Sequence, residues 1–407
     1  MRFGAERFVI LPHKNKPVPP KFFSATDQAF IQAHLTADVN QLLLKHGREK
    51  QPLIAQIEAR QKARHKLPTW VAQPDSVFPV GVSVEQSSSE ATAQYKANLV
   101  SGKLLIDLTG GMGVDSSFFA TRFERVIYAE QNEQLVAQAQ HNFAVLGIEN
   151  ITCICANSID FLQQFSQKVD CIYADPARRV AQASSVKRVY ALADCEPDIL
   201  KHLPLLLEKS EQILLKTSPL LDIKQTLQEL KNVQAVHAVA VENEVKELLF
   251  VLNNQPNETL FVHATNLPHQ FFSHDFAQES VLTASFSDPL QYVYEPNAAI
   301  LKTGAFKSVA TQFGLHKIAP NSHLYTSNEL ITDFPGRIFA LQAIVKADAK
   351  ALSPFLPDCK ANLTLRNFPA TTNELRKKLR LKDGGNVYLL ATTLANGDKK
   401  ILVCGKS

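Results

Sequence analysis

The sequence has no hydrophobic run approaching the ~18 residues that a membrane span needs, so no transmembrane segment is expected. Its opening, MRFGAERFVILPHKNK, holds one short apolar stretch at 8–11 between charges. That stretch is too short for a secretory leader, and no small-residue cleavage pattern follows, which predicts a cytoplasmic protein. Cysteine is scarce, six in 407 residues, with no CxxC pair and no regular spacing. A zinc knuckle and a disulfide framework are therefore not expected. Cys153, Cys155 and Cys171 fall in apolar, strand-like runs, while Cys195, Cys359 and Cys404 are scattered, a pattern that predicts reduced and mostly buried thiols. Metal-ligand clusters are lacking as well. His269 and His274, five residues apart, would lie on different faces of a helix with no acidic or cysteine partner near, so no metal centre is predicted there. There is one tryptophan, Trp70, no internal repeat and no low-complexity tract.

Charge is present but unevenly spread. The net charge is +4, yet residues 1–70 carry 12 basic against 5 acidic residues and residues 337–407 carry 13 against 5. The segment 71–336 is correspondingly acidic, with 18 against 29. Basic ends around an acidic centre point to a polyanionic partner gripped by the flanks, a nucleic acid, the alternative being basic helices that merely face solvent.

Hydrophobic spacing divides the chain. Phe30, Ile31, Leu35, Val39, Leu42 and Leu43 recur near the helical period, followed by Ile54 and Ile57, so 24–66 reads as helical. Pro68, Pro74 and Pro79 then break the pattern and suggest a junction. From about residue 100, apolar strands at 104–110, 125–130, 151–157, 170–175 and 212–218 alternate with helices at 114–122, 132–146, 158–166, 195–208 and 222–231. That alternation predicts a parallel sheet covered on both faces. VQAVHAVAV and ELLFVLN follow with no helix between them and must pair as a hairpin. Residues 254–335 hold the strand-like LFVHAT and LQYVYEP, a helix near 305–313 and a turn-rich segment, KIAPNSHLYTSNEL. The last part reads β–α–β: RIFALQAIV, a helix at 372–381, NVYLLATT and KKILVC, with a hairpin turn at Asn396-Gly397. The boundaries expected are 1–75, 76–254, 255–335 and 336–407.

Four features of the α/β region carry chemistry. Asp107-Leu-Thr109-Gly110-Gly111-Met-Gly113-Val-Asp115 follows a strand and opens a helix, where glycines let backbone approach a ligand. The dinucleotide fingerprint counted from Gly111 would require glycine at 116, which is serine. A carboxylate at Asp107 would repel phosphate but can serve a cationic amino-acid end through a water or backbone amide. Glu130, ending the second strand 23 residues after Asp107, can accept both hydroxyls of a ribose, with Gln131 beside it. Asn157-Ser158, ending the third strand, can read an adenine amino group, whereas Asp160 reads as a first-turn helix acid. Asp175-Pro176-Ala177-Arg178-Arg179 ends the fourth strand, where ligands of such sheets sit. A carboxylate on a stiff turn there can accept hydrogen bonds from an incoming amine.

Together these elements resemble the class I S-adenosylmethionine-dependent methyltransferases over about residues 86–253. The resemblance implies a Rossmann-like seven-stranded sheet and S-adenosyl-L-methionine as cofactor. It makes 107–113 the glycine-rich motif I, Glu130 the ribose acid, Asn157 the adenine contact and Asp175-Pro176 the substrate-side motif IV. In relatives that methylate amino groups that motif reads Asp/Asn-Pro-Pro-aromatic. Here Ala177 and Arg178 depart from it, which puts base stacking by an aromatic in doubt and leaves Arg178 to stack by its guanidinium or to hold a phosphate. Most of the chain is also similar to a bacterial group with a helical N-terminal region, this catalytic domain, a small ferredoxin-like insert and a C-terminal THUMP-like domain. EQSSSEATAQYKANLV, DLTGGMGVD, DPARR, YEPNAAILKTGAF and PNSHLYTSNEL carry that match, which implies RNA. In such proteins the segment before motif I often covers the cofactor, and Gln86 is the candidate there; a helix cap at Ser88 or Ser89 is the alternative.

These readings predict a methyltransferase acting on an RNA base nitrogen, guanine foremost, with Asp175, Pro176 and Arg178 at the acceptor. Arg376, Lys377 and Arg380, with Lys378, on the basic helix near the C-terminus are the candidate phosphate grip. A cysteine-dependent carbon-methylating route is disfavoured, because Cys195 is expected in a helix start with no base beside it. Three alternatives stay open: a protein or small-molecule methyltransferase, an RNA-binding protein that holds the cofactor without transfer, and a nucleotide-dependent oxidoreductase.

Overall fold

The computed structural model describes residues 22–79, 84–178 and 192–406, so the opening apolar stretch and Arg179 lie outside the described residues. Contacts divide the chain into two units, Met1–Gln234 with Leu249–Pro256, and Ala235–Leu248 with Asn257–Ser407.

In the first unit, helices α1 (Ala25–Ala33), α2 (Val39–His46) and α3 (Gln51–Ala63) enclose Ile31, Leu42, Leu53, Ile54 and Ile57. Ser24 and Asp38 cap the first two by accepting backbone N–H bonds from Asp27 and Gln41, which satisfies donors that a helix start leaves orphaned. Of the two adjacent leucines placed on the predicted face, Leu42 is buried and Leu43 is 38% exposed. Helices α4 (Pro68–Ala72) and α5 (Glu90–Asn98) follow. The proline-rich stretch between them is fastened by one buried guanidinium. Arg60 donates to the carbonyls of Val71, Gln73, Pro74 and Ser76, replacing the hydrogen bonds that irregular backbone cannot make for itself.

The α/β region alternates β1 (Gly102–Asp107), α6 (Val114–Phe119), β2 (Phe123–Glu130), α7 (Glu133–Val145), β3 (Ile151–Cys155), α8 (Ser158–Gln164), β4 (Val169–Ala174), α9 (Ile199–Lys209), β5 (Ser210–Thr217) and α10 (Ile223–Glu229). Four of the five predicted strands ran one to three residues too far at their carboxyl ends, where the ligand-side loops begin, at 108 after β1 and at 175 after β4, while the second ends at Glu130 as expected. Neighbours from β3 through β2, β1 and β4 to β5 are all parallel. The expected hairpin is present as β6 (Val233–Val241) and β7 (Glu244–Leu252), giving the sheet order β3–β2–β1–β4–β5–β7–β6. Its two-residue turn, Glu242-Asn243, has positive φ at both positions, as a tight hairpin matching strand twist requires.

In the second unit β8 (Phe261–Leu267) runs parallel to β6, and β9 (Gln270–Asp275) pairs antiparallel with β8. The HQFFSH segment is thus a turn residue, His269, followed by strand, which corrects the helical geometry assumed for His269 and His274. Helix α11 (Phe276–Val281) follows. A second sheet contains β10 (Tyr292–Pro296), β11 (His316–Lys317), β12 (Tyr325–Ser327), β13 (Gly336–Lys346), β14 (Asn362–Arg366), β15 (Val387–Thr393) and β16 (Lys399–Lys406), in the order β11–β12–β10–β13–β16–β15–β14. Helices α12 (Ala298–Thr303) and α13 (Phe306–Gln312) connect β10 to β11. Helix α14 (Ala349–Leu352) precedes β14, and α15 (Thr372–Leu379) joins β14 to β15. Residues on both sides of position 336 share this sheet through the β10–β13 ladder. Strand β14 was not anticipated from the sequence: LTLR is short and flanked by polar residues.

Candidate functional site

Parallel register brings the carboxyl ends of β1, β2, β4 and β5 to one edge. Asp107 lies level with Tyr128 and Tyr173, Glu130 with Cys155, and Ala174 with Leu215. The predicted acids and the DP turn are therefore neighbours, as an open α/β sheet places ligand groups.

The glycines between β1 and α6 have specific causes. A Cβ on Gly110 would stand 2.3 Å from the Tyr128 ring. The same tyrosine donates its hydroxyl to the Gly111 carbonyl at 2.6 Å, so ring and loop lie face to face. Gly113 sits at φ 87°, and a Cβ there would stand 2.7 Å from the Phe143 ring. At Gly111 the space is open, the nearest atom being the Thr109 carbonyl at 3.7 Å. The next residue, Met112, packs in a cluster with Ala63, Leu67, Trp70, Phe78 and Ala93.

Asp107 is 1% exposed. One carboxylate oxygen accepts the Thr109 N–H at 2.9 Å and the other the Ser116 hydroxyl at 2.6 Å. Burial pushes its pKa up to about 7, against the lowering effect of those bonds. It therefore shapes the loop from within, consistent with an indirect action on a ligand. Glu130 accepts the Gly111 N–H at 3.0 Å on one oxygen and the Asn132 N–H at 2.9 Å on the other. Each oxygen retains a further lone pair, so the partly exposed carboxylate can still take hydroxyl donors.

The DP turn is tied to the same loop. The backbone N–H of Asp175 donates to the Thr109 hydroxyl at 2.7 Å, and that hydroxyl also reaches Asp107. The Asp175 carboxylate is ion-paired with Lys216 from β5. Behind it, Asp115 accepts the Ser88 hydroxyl at 2.8 Å and the Tyr173 hydroxyl at 2.7 Å, and the fully buried Lys96 ammonium stands 3.2 Å away. Burial alone would raise the Asp115 pKa; Lys96, Lys216 and the two hydroxyls outweigh it and hold the carboxyl below its usual range.

The other predicted residues are placed as follows. Gln86 is exposed in a turn, two residues before Ser88. Ser89 caps α5 with Thr92 in a capping box, which realises the alternative considered for this segment. Gln131 is exposed beside Glu130. Asn157 is also exposed, and its Oδ1 accepts from the N–H groups of Ile159 and Asp160. The atom that would read an adenine amino group is thus the cap of α8. Ser158 is the first residue of α8, and Asp160 stands in its first turn. Pro176 is half-buried next to Asp175. The backbone of Arg178 pairs with Cys195 in a two-residue ladder, Ala177–Arg178 against Cys195–Glu196; the Arg178 side chain lies outside the described residues. Cys195 is thus in an extended pair beside the DP turn, a correction to its placement in a helix start, and α9 begins at Ile199.

On α15, Arg376 is ion-paired with Asp383 and so is engaged within the fold, whereas Lys377 and Arg380 are exposed. Lys378 lines a cavity of ≈ 620 Å³ with Lys346, Lys399 and Lys400 and with the acids Glu374 and Asp398, the latter paired with Lys400. Sequence reasoning missed Lys96, Tyr128, Tyr173 and Lys216. Lys216 did carry a signal, a lysine embedded in the apolar strand QILLKT.

Comparison with known proteins agrees with this geometry. Residues 102–255 match a family model described as RNA cap guanine-N2 methyltransferase. Residues 292–335 match a ferredoxin-like domain and residues 336–406 a THUMP domain-like family. A solved structure of a candidate methyltransferase from Porphyromonas gingivalis W83 is 35% identical, covers 94% of this chain and 98% of that one, and superposes with a TM-score of 0.82. An S-adenosylmethionine-dependent methyltransferase of Mycobacterium tuberculosis is 20% identical over 77% of this chain and 84% of its own. An RNA methyltransferase of Thermosynechococcus vestitus is 32% identical over 24% of this chain and 21% of its own.

Proposed function

Because the chain belongs to the S-adenosylmethionine-dependent methyltransferases with a C-terminal THUMP-like domain, we propose that it methylates a nitrogen of an RNA base. S-adenosyl-L-methionine supplies an electrophilic methyl group on a sulfonium. The donor set fits it: an accessible carboxylate at Glu130 for ribose hydroxyls, and a glycine-rich loop at 108–113, with space at Gly111, for the amino-acid end. Asp175, with the Pro176 carbonyl, accepts N–H bonds from the acceptor and turns its lone pair towards the methyl. Arg178 stacks on the base or holds a neighbouring phosphate.

One observation carries this reading. The Thr109 hydroxyl accepts the Asp175 N–H, which fastens the acceptor turn to the cofactor loop, and fixed alignment of reacting groups is the main source of rate in such a transfer. RNA is supported by the descriptions of the matching family model and of the cyanobacterial relative, and guanine by the former. It is supported further by the basic C-terminal segment with its lysine-lined cavity. That cavity, together with Lys377 and Arg380, replaces Arg376 as the phosphate grip.

The test is mass spectrometry of RNA nucleosides from a deletion strain. One methylated guanosine should be missing, return with the wild-type gene and stay missing with Asp175→Asn. An unchanged RNA nucleoside profile, with a methylated protein or metabolite lost instead, overturns the reading.

A further inference from the structure

Lys216 is the penultimate residue of β5 and lies beside Asp175, because Ala174 and Leu215 are partners in the parallel register. Its side chain is 12% exposed, against 37% for Asp175. A lysine in an apolar strand costs desolvation, so its presence beside the acceptor position asks for a reason. The surroundings supply one. Lys96, Asp115, Lys216 and Asp175 form a string of alternating charge: Lys96 stands against Asp115, Lys216 acts on Asp115 electrostatically, and Lys216 pairs with Asp175. These four formal charges cancel.

We propose that Lys216 is a specificity-determining and positioning residue, which makes the Asp175–Lys216 pair a charge filter at the methyl-acceptor position. An unopposed carboxylate there would favour a cationic acceptor, the ammonium of a lysine side chain or a polyamine. Paired with Lys216, it keeps a hydrogen-bond acceptor but loses most of its net attraction for a cation. Lys216 takes Oδ2, and Oδ1 is the atom assigned to the incoming N–H. The site then selects a neutral nitrogen, such as a nucleobase amine. This deepens the proposed reading, on which it rests for the identity of the acceptor alone.

The experiment needs no RNA, so failure of the filter and failure of the RNA reading are separately visible. Calorimetry on the full chain compares two cofactor analogues. S-adenosylhomocysteine has a neutral thioether, and sinefungin has a protonated amine where the methyl-bearing sulfonium would stand. Their affinity ratio isolates the charge at that point, because loss of fold or of the cofactor groove moves both together. In Lys216→Met the preference for sinefungin should rise by about tenfold to a thousandfold, the range for an unbalanced unit charge a few ångströms away between bulk water and a protein surface. In Asp175→Asn, which removes one negative charge beside Lys216, it should fall below the wild type by a factor in the same range. Lys216→Arg should keep the wild-type ratio. Opposite shifts in the two neutralising variants support the filter. An unchanged ratio in both, or shifts of the same sign, overturn it. If Lys216→Met does not fold, Asp175→Asn decides by itself: a fallen ratio supports the filter and an unchanged one overturns it.

Discussion

Each unit holds a carboxylate sunk among cations, Asp115 in the first and Glu295 in the second. The cations near Asp115 are lysines, Lys96 fully buried and Lys216 12% exposed, and two hydroxyls complete its shell. Glu295 is 2% exposed and is gripped by Arg337 of β13 and Arg366 of β14, which are 44% and 34% exposed. Lysine is a point charge and arginine a planar fork with directed donors. The lysine arrangement sets the field beside the proposed acceptor position. The arginine arrangement joins strands and leaves its cations at the surface.

That contrast can be broken experimentally. Lys96→Met strips a buried counterion from Asp115 and should cost about 3–5 kcal/mol, the scale for halving a buried pair, read as a fall in unfolding free energy by urea titration. Glu295→Ala should cost less, about 1.5–3 kcal/mol for lost charge-assisted bonds, because its arginines can be rehydrated where they stand. Equal losses would mean that exposure of the partner cations does not matter. Asp107 sharpens the comparison, as its two oxygens take only hydrogen bonds. Its folded pKa of about 7 lies above the unfolded value of ~3.9. The folded state therefore binds the proton more tightly, and this contribution is full below about pH 4 and lost as pH rises through 7. Asp107→Asn should flatten the stability profile across that window, measured by urea unfolding at pH 5 and 8. The smallest effect concerns the basic cavity. Lys378→Ala should lower the salt slope of RNA binding by about one phosphate contact, whereas Arg376→Ala, whose side chain is bound to Asp383, should leave it unchanged.

The α/β fold was legible because its signal is periodic and repeated: apolar strands separated by helices whose faces recur, as Val136, Ala139 and Phe143 do on α7. The gathering of Asp107, Glu130 and Asp175 at one edge was legible because each ends or directly follows a strand, and parallel strands end together. The supporting residues were not. Lys96 meets Asp115 across 19 positions and Lys216 meets Asp175 across 41, and no local pattern encodes such a meeting. Asn157 was read as a ligand group and its Oδ1 also caps α8, because strand-end polar residues can serve both purposes. Cys195 was misplaced because an extended two-residue pair has too few positions to show a period.

The cluster around Met112 has a practical consequence for dissecting the protein. Ala63, Leu67, Trp70 and Phe78 press on the residue that follows the open glycine of the cofactor loop, and Arg60 keeps the 71–76 backbone in place beneath them. A shortened protein beginning at residue 76 would uncover this methionine and free the loop from its outer wall. Its affinity for the cofactor would fall although every residue that touches the cofactor remained, so excised catalytic fragments should begin no later than α3.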